Sequence, residues 1–439
     1  MTFSEFKLYL LSGNKVAKYY CLLKLYRDEV QIQFFNLKTC TSIKQLYLIG
    51  MRKYFLIFSL LLITIAVSAQ GVYNFNLVKE NPITPVKNQA SSGTCWSFSG
   101  VALLESELIR MGKGEFDLSD MYIVRKNYED KAKKYARLHG NLNFSQGGSF
   151  ADVLETRDDF GIRPEETYIG LNYGAEYHDH SELDKILTGY MSGLIGSRNL
   201  SPVWFNGFNA ILDNYFGEIP ETFIHEGKEF TPHTFAEHLE LKQEDYISLT
   251  SFTHHPFYKA FPVEVPDNWR WALSYNLPID EFMEVMENAI MKGYTIAWAS
   301  DVSEAGFSRS GIAVIPDENS PMNAGSDQEH WLGQSSRERD ASLRSRVGIE
   351  ILAEKSITQE MRQDAFDNYQ TTDDHGMQIY GISTDQNDNK YFMVKNSWGD
   401  TGPYNGLWYA SFPFVKYKTM SIVLHKDAIP ANIATKIGL

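Results

Sequence analysis

Gln89-Ala90-Ser91-Ser92-Gly93-Thr94-Cys95-Trp96-Ser97-Phe98 is the stretch that decides how this chain is read. It holds one of only three cysteines, and the other two, Cys21 and Cys40, precede what reads as a removable leader. A single thiol left in an exported chain has no internal disulfide partner. Cys95 also opens an apolar-periodic segment, and the partial positive charge of a helix N-terminus favours a thiolate. Cys95 is therefore a candidate nucleophile, and the rest of the chain is searched for its partners.

The leader begins at Met51-Arg52-Lys53 and continues as an apolar run from Phe55 to Val67, with Val67-Ser68-Ala69 before Gln70. A basic start, a short apolar core and small residues before a cut describe a secretory signal peptide over 51–69, cleaved after Ala69. The run is shorter than the ~20 residues that a membrane span needs, and no cysteine follows for a lipid anchor. Residues 1–50 then read as an over-extended gene start. The expected location is exported, periplasmic or extracellular, with no stable membrane anchor. Removing 1–69 leaves 32 Lys and Arg against 52 Asp and Glu, a net charge near −20. That balance argues against nucleic acid as a partner.

Apolar spacing predicts a helix from Cys95 to about Met111, stopped near Gly112-Lys113-Gly114. Further helices are expected over 118–138 and 149–160, the second following the break at Gly147-Gly148. Ile279 to Met291 repeats apolar residues every three to four positions, Gly293 closes it, and 295–299 reads as a strand. Residues 317–347, poor in apolar side chains, read as a mobile surface loop.

From Gln378 the pattern becomes β: strands at 378–382 and 391–395 flank the turn-rich segment 384–389. His375 and Asn396 lie at the two ends of this hairpin and should be close cross-strand neighbours. An asparagine accepting from one ring nitrogen would fix the imidazole tautomer and leave the other nitrogen facing a thiol.

These residues resemble papain-like cysteine peptidases. Gln89 with Ser92 to Phe98 is similar to the nucleophile segment, His375-Gly376-Met377 to the histidine segment, and Asn396-Ser397-Trp398-Gly399 to the asparagine segment. The ~280 residues between Cys95 and His375, Ser92 in place of a disulfide cysteine, and the segments 278–280 and 298–302 resemble the bleomycin hydrolase and aminopeptidase C branch. The resemblance implies an α+β, two-lobed papain-like fold. Its parts would be a helical lobe at 70–170, a large insertion at 171–350, and a β-barrel lobe with a C-terminal tail at 351–439. It implies Cys95 as nucleophile, His375 as general base and acid, Asn396 as its orienter, and Gln89 with the Cys95 N–H as oxyanion donors. A thiolate–imidazolium pair would hold the thiol pKa near ~3–4. Gly147 and Gly148 would let an extended substrate approach, and Trp398 would cover the His–Asn contact; all three are assigned to substrate binding.

The expected activity is hydrolysis of peptides through a thioester, in aminopeptidase mode. In this branch a C-terminal tail lies in the cleft and its carboxylate limits cleavage. Here the chain after the strand 422–425 is short, and Ile429, Ile433, Ala434 and Ile437 predict a surface helix instead, so endopeptidase or mixed activity is the alternative. A catalytically silent peptide binder and a Cys–His acyl transferase such as a transglutaminase are readings from other classes. The resemblance also implies a homo-oligomer, a hexameric ring. No cofactor is expected. His178-Asp179-His180 and His254-His255 lack a third ligand at a sensible spacing and read as surface histidines, as do His233 and His238, so no metal is expected. Trp298 and Asp301 read as structural.

Overall fold

The computed structural model describes the strands at 4–12, 15–26 and 29–33, residues 72–317, residue 320, and residues 336–439. The expected signal peptide lies outside these described residues. The chain divides into two units, Met1–Gln70 and Gly71–Leu439. In the first, Ser4–Ser12, Lys15–Tyr26 and Glu29–Gln33 form a three-stranded antiparallel sheet. The second unit is a helical layer packed against a sheet.

Its centre is the helix Cys95–Arg110, buried on every side from Trp96 to Leu108. Such a helix needs close neighbours on more than one face, and two glycines provide them. A Cβ on Gly100 would meet Val153 at 2.6 Å, and one on Gly376 would meet Ser99 Oγ at 2.7 Å. The helices Asp120–Arg137 and Phe150–Phe160 pack on one side of it, joined by Ser181–Ile195, Trp204–Phe216 and Pro232–Leu239 in a single apolar core. On its other side lies an eleven-stranded, mainly antiparallel sheet with its own core.

Segment 171–350 contributes to both layers. Its helices join the helical core, while its strand Ile296–Ser300 sits between His375–Thr384 and Thr419–His425 in the sheet. The expected loop at 317–347 needs correction where it is described. Ser336–Arg346 is a helix with Leu343 buried, and the chain just after it is anchored by Val347 and Leu352 in a small cluster with Tyr73, Ile312, Val314 and Tyr391. Three scattered apolar residues gave too weak a period to announce it.

The chain end also folds onto the sheet side. After Thr419–His425 a short turn leads to the helix Ala431–Ile437, ended by Gly438 in the left-handed region (φ +85°). Ile429, Ile433 and Ile437 are buried in the sheet core, and Lys436 pairs with Glu281 at 2.7 Å. Among the described residues no helix is long and apolar enough to cross a membrane.

Candidate active site

The loop before Cys95 is set by a buried charge cluster. Lys87 Nζ reaches Glu105 at 3.1 Å, Asp120 at 3.0 Å and Asp117 at 2.7 Å, clamping the loop to two helices. Gly93 N–H donates to Gln146 Oε1 at 2.8 Å and Trp96 Nε1–H to Gln146 O at 3.1 Å, which ties the loop to Gly147-Gly148. Cys95 is then the first residue of its helix, and the backbone N–H groups of Gly376 and Trp96 beside its sulfur favour the thiolate.

His375 opens the strand that crosses this helix end. Its Nε2 lies 2.7 Å from Asn396 Oδ1, which also accepts the Ser397 N–H at 2.7 Å. An acceptor at Nε2 fixes the proton there and leaves Nδ1 as the basic nitrogen. The hairpin expectation therefore holds: Gln378 pairs with Lys395, three residues after His375 and one before Asn396. Trp398 stacks on the imidazole with centroids 4.8 Å apart, braced edge-on by Trp408 and Phe307. It packs against the histidine, and the cleft is lined by other residues.

Gln89 is buried with both ends of its amide engaged. Nε2–H donates to Ser92 O at 2.6 Å, and Oε1 accepts from Ser397 Oγ at 2.5 Å. Nε2 carries a second hydrogen, the one an oxyanion would require.

Cys95 and His375 line one cleft of about 200 Å³ together with Gly93, Gly147, Gly148 and Asp267. Both glycines face close neighbours there. A Cβ on Gly147 would lie 2.0 Å from Asp267 Oδ2, and one on Gly148 would lie 2.8 Å from the Trp96 ring. Gly147→Ala should push Asp267 aside and cut kcat/KM by about 10-fold or more (roughly 1.4 kcal/mol) with little loss of Tm. Unchanged steady-state kinetics would show that the narrow approach is unimportant.

The electrostatics add a cost that the sequence did not show. Burial pushes the Cys95 thiol up to about 12, and the neighbouring Asp373 and Asp267 carboxylates add to the rise. Burial likewise drives His375 down to about 4, with the Asn396 hydrogen bond opposing. Desolvation thus opposes either charge formed alone, whereas a thiolate and an imidazolium formed together would attract and offset part of that cost.

Sequence reasoning missed the acidic groups of this cleft. Asp267, Asp373 and Asp374 all line it. Asp373 and Asp374 directly precede His375 and could have been noticed, whereas Asp267 belongs to the least legible part of the chain. It also missed the support of the histidine segment. Buried Lys418 pairs with Asp301 at 3.4 Å, and Asp301 Oδ2 accepts the Thr372 N–H at 3.2 Å. Asp301 therefore holds the approach to His375. Trp298 is fully buried, donating to Thr419 Oγ1 at 2.7 Å.

Known proteins agree with this arrangement. Residues 73–187 match the papain family of cysteine proteases, and residues 349–438 match the peptidase C1-like family. The chain is a papain-like cysteine peptidase. Within that class it is similar over most of its length to aminopeptidase C, of the bleomycin hydrolase type. It is 22% identical to aminopeptidase C of Streptococcus thermophilus, with 82% of this chain and 84% of the relative covered. It is also 22% identical to aminopeptidase G of Lactobacillus delbrueckii subsp. lactis, covering 79% and 82%. The fold matches the solved structure of PepW from Lactobacillus rhamnosis with a TM-score of 0.61 at 18% identity, covering 82% and 84%.

Proposed function

We propose that this peptidase is an exported aminopeptidase whose cleft carboxylates hold the substrate's free amine. The observation that carries the reading is the placement of Asp267 and Asp373 in the same cleft as Cys95 and His375. An ammonium held there would set the first peptide bond beside the sulfur. Named aminopeptidases among the relatives support the mode, and the basic–apolar–small leader at 51–69 supports export.

In the proposed reaction, His375 Nδ1 takes the Cys95 proton as the sulfur attacks the carbonyl carbon. Charges of both signs arise together, so their attraction offsets the desolvation that opposes each alone. The oxyanion is held by the Cys95 N–H and the Gln89 amide. The C–N bond then breaks, His375 returns the proton to the leaving amine, and water hydrolyses the thioester. Asn396 keeps the imidazole in the required tautomer throughout.

The test compares aminoacyl-coumarin substrates with free and acetylated N-termini. The free-amine series should be preferred, and Asp373→Asn should lower its kcat/KM by about 10- to 100-fold, the loss of one charge-assisted hydrogen bond. Burial pushes Asp373 up to about 7, with Asp267 and Asp374 adding repulsion. Below that pH it is neutral and cannot attract an ammonium. The free-amine rate should therefore climb as pH rises through about 7, then fall as the substrate amine deprotonates near ~8. Asp373→Asn should lose the acid-side limb. Equal cleavage of acetylated substrates would sink the aminopeptidase reading. It would favour endopeptidase or mixed activity, for which the tail gives a specific reason: the last residue lining the cleft is Val423.

A further inference from the structure

Away from the dyad, three side chains from two segments converge on one point. His254 Nε2 lies 3.0 Å from Glu264 Oε2, and His255 Nε2 lies 2.9 Å from Glu264 Oε1. One ligand atom from each residue falls within 4.8 Å of the other two. The two histidines alone lacked a third ligand by spacing. The fold supplies it from ten residues further along.

We propose that His254, His255 and Glu264 bind one divalent cation of the zinc class. Two imidazoles and a carboxylate are the donor set that suits zinc, cobalt or nickel over calcium or magnesium. At bond lengths of about 2.0–2.2 Å a tetrahedral ion separates its ligand atoms by about 3.3–3.6 Å, so the close His–Glu pairs would open slightly and the widest pair, now within 4.8 Å, would close.

Local structure makes the convergence possible. Residues 253–255 form a bend, not a strand, so two consecutive side chains can face the same way. Both rings are packed in place. His255 stacks on Phe261 with centroids 4.1 Å apart, and His254 stacks on Phe366 at 5.7 Å. His254 Nδ1 lies 3.0 Å from Gln363 Nε2 and 3.2 Å from its Oε1; with a metal on Nε2, Nδ1 would carry the proton and donate to Oε1, as metal-bound histidines do to an outer acceptor. Among the described residues, Glu264 makes ion pairs only with these two histidines.

The site would brace the cleft from behind. Val263 and Val265, the neighbours of Glu264, line the cleft, and Asp267 follows two residues later. A bound ion would tie that wall to the 254–255 bend and, through Gln363, to the helix Gln359–Asp367. Its role is structural, distinct from bond breaking.

Because the Cys95 thiol is itself a zinc ligand, the test uses the full chain carrying Cys95→Ala. Calorimetry should show one equivalent of Zn2+ bound, and Co2+ should give the intense visible absorption of a low-coordinate site. Zinc at about 100 times its Kd should raise Tm by several degrees. Adding Glu264→Gln or His254→Ala should remove both signals while the circular dichroism stays native. Gln363→Ala should weaken binding by about 10-fold. No binding in the Cys95→Ala protein at micromolar zinc would overturn the proposal. Affinity unchanged in folded Glu264→Gln and His254→Ala proteins would overturn it too.

Discussion

Cys95→Ser should lower kcat/KM by at least about 10⁴-fold while leaving Tm within about a degree. A serine hydroxyl is a far weaker acid than a thiol, and this site already resists a negative charge at residue 95. Burial pushes the thiol up to about 12, so the oxygen analogue would face the same opposition from a much higher starting value. Asn396→Ala should behave differently. It strips the acceptor from His375 Nε2 and from the Ser397 N–H, leaving two buried donors unpaired at about 1–3 kcal/mol each. It moves no proton, so a loss on the order of 10²-fold with residual turnover is expected. Active-site titration with an irreversible thiol-protease inhibitor separates the two: Cys95→Ser is not labelled, and Asn396→Ala is labelled slowly. A folded Asn396→Ala protein as dead as Cys95→Ser would refute the orienting role.

Deleting residues 430–439 should cost at least about 4 kcal/mol, because Ile433 and Ile437 are buried in the sheet core and each large-to-small loss there is worth about 2–5 kcal/mol. Against a total stability of about 5–15 kcal/mol, much of the truncated protein should unfold or aggregate. Ile433→Ala is the gentler form, with an expected loss of about 3 kcal/mol readable by urea denaturation. Neither change should open the cleft to new substrates, since the tail helix packs on the sheet core and pairs with Glu281. A cleaner probe removes only Gly438 and Leu439, the latter 53% exposed. That shifts the terminal carboxylate without touching the core. Preference between free and acetylated substrates should stay unchanged. A gain of cleavage on acetylated peptides would show that the terminus acts as a ruler after all.

Much of the scaffold was legible because its signals are local. The helices at 95–110 and 279–291 follow from apolar spacing, and the His375–Asn396 contact follows from a hairpin whose two arms must face each other. The helix at 336–346 was not legible, because Leu343 is its one large apolar side chain and the residues anchoring the chain just after it, Val347 and Leu352, are buried by partners far away in sequence, Tyr73 and Tyr391 among them. The cost of charging Cys95 was not legible for a related reason: the expected low thiol pKa rested on a thiolate–imidazolium pair, whereas desolvation and two nearby carboxylates are tertiary facts.

The sequence by itself determined the nucleophile segment, the histidine and asparagine that accompany it, and the papain-like class. Each depends on residue types at short range or on a strand register that alternates side chains regularly. Only the tertiary structure decided that Asp267 enters the cleft, that Glu264 completes a pair of histidines, and that the tail lies on the sheet core. Those outcomes depend on which apolar faces bury each other across hundreds of residues. Burial is a property of the assembled chain, and no short segment encodes it alone.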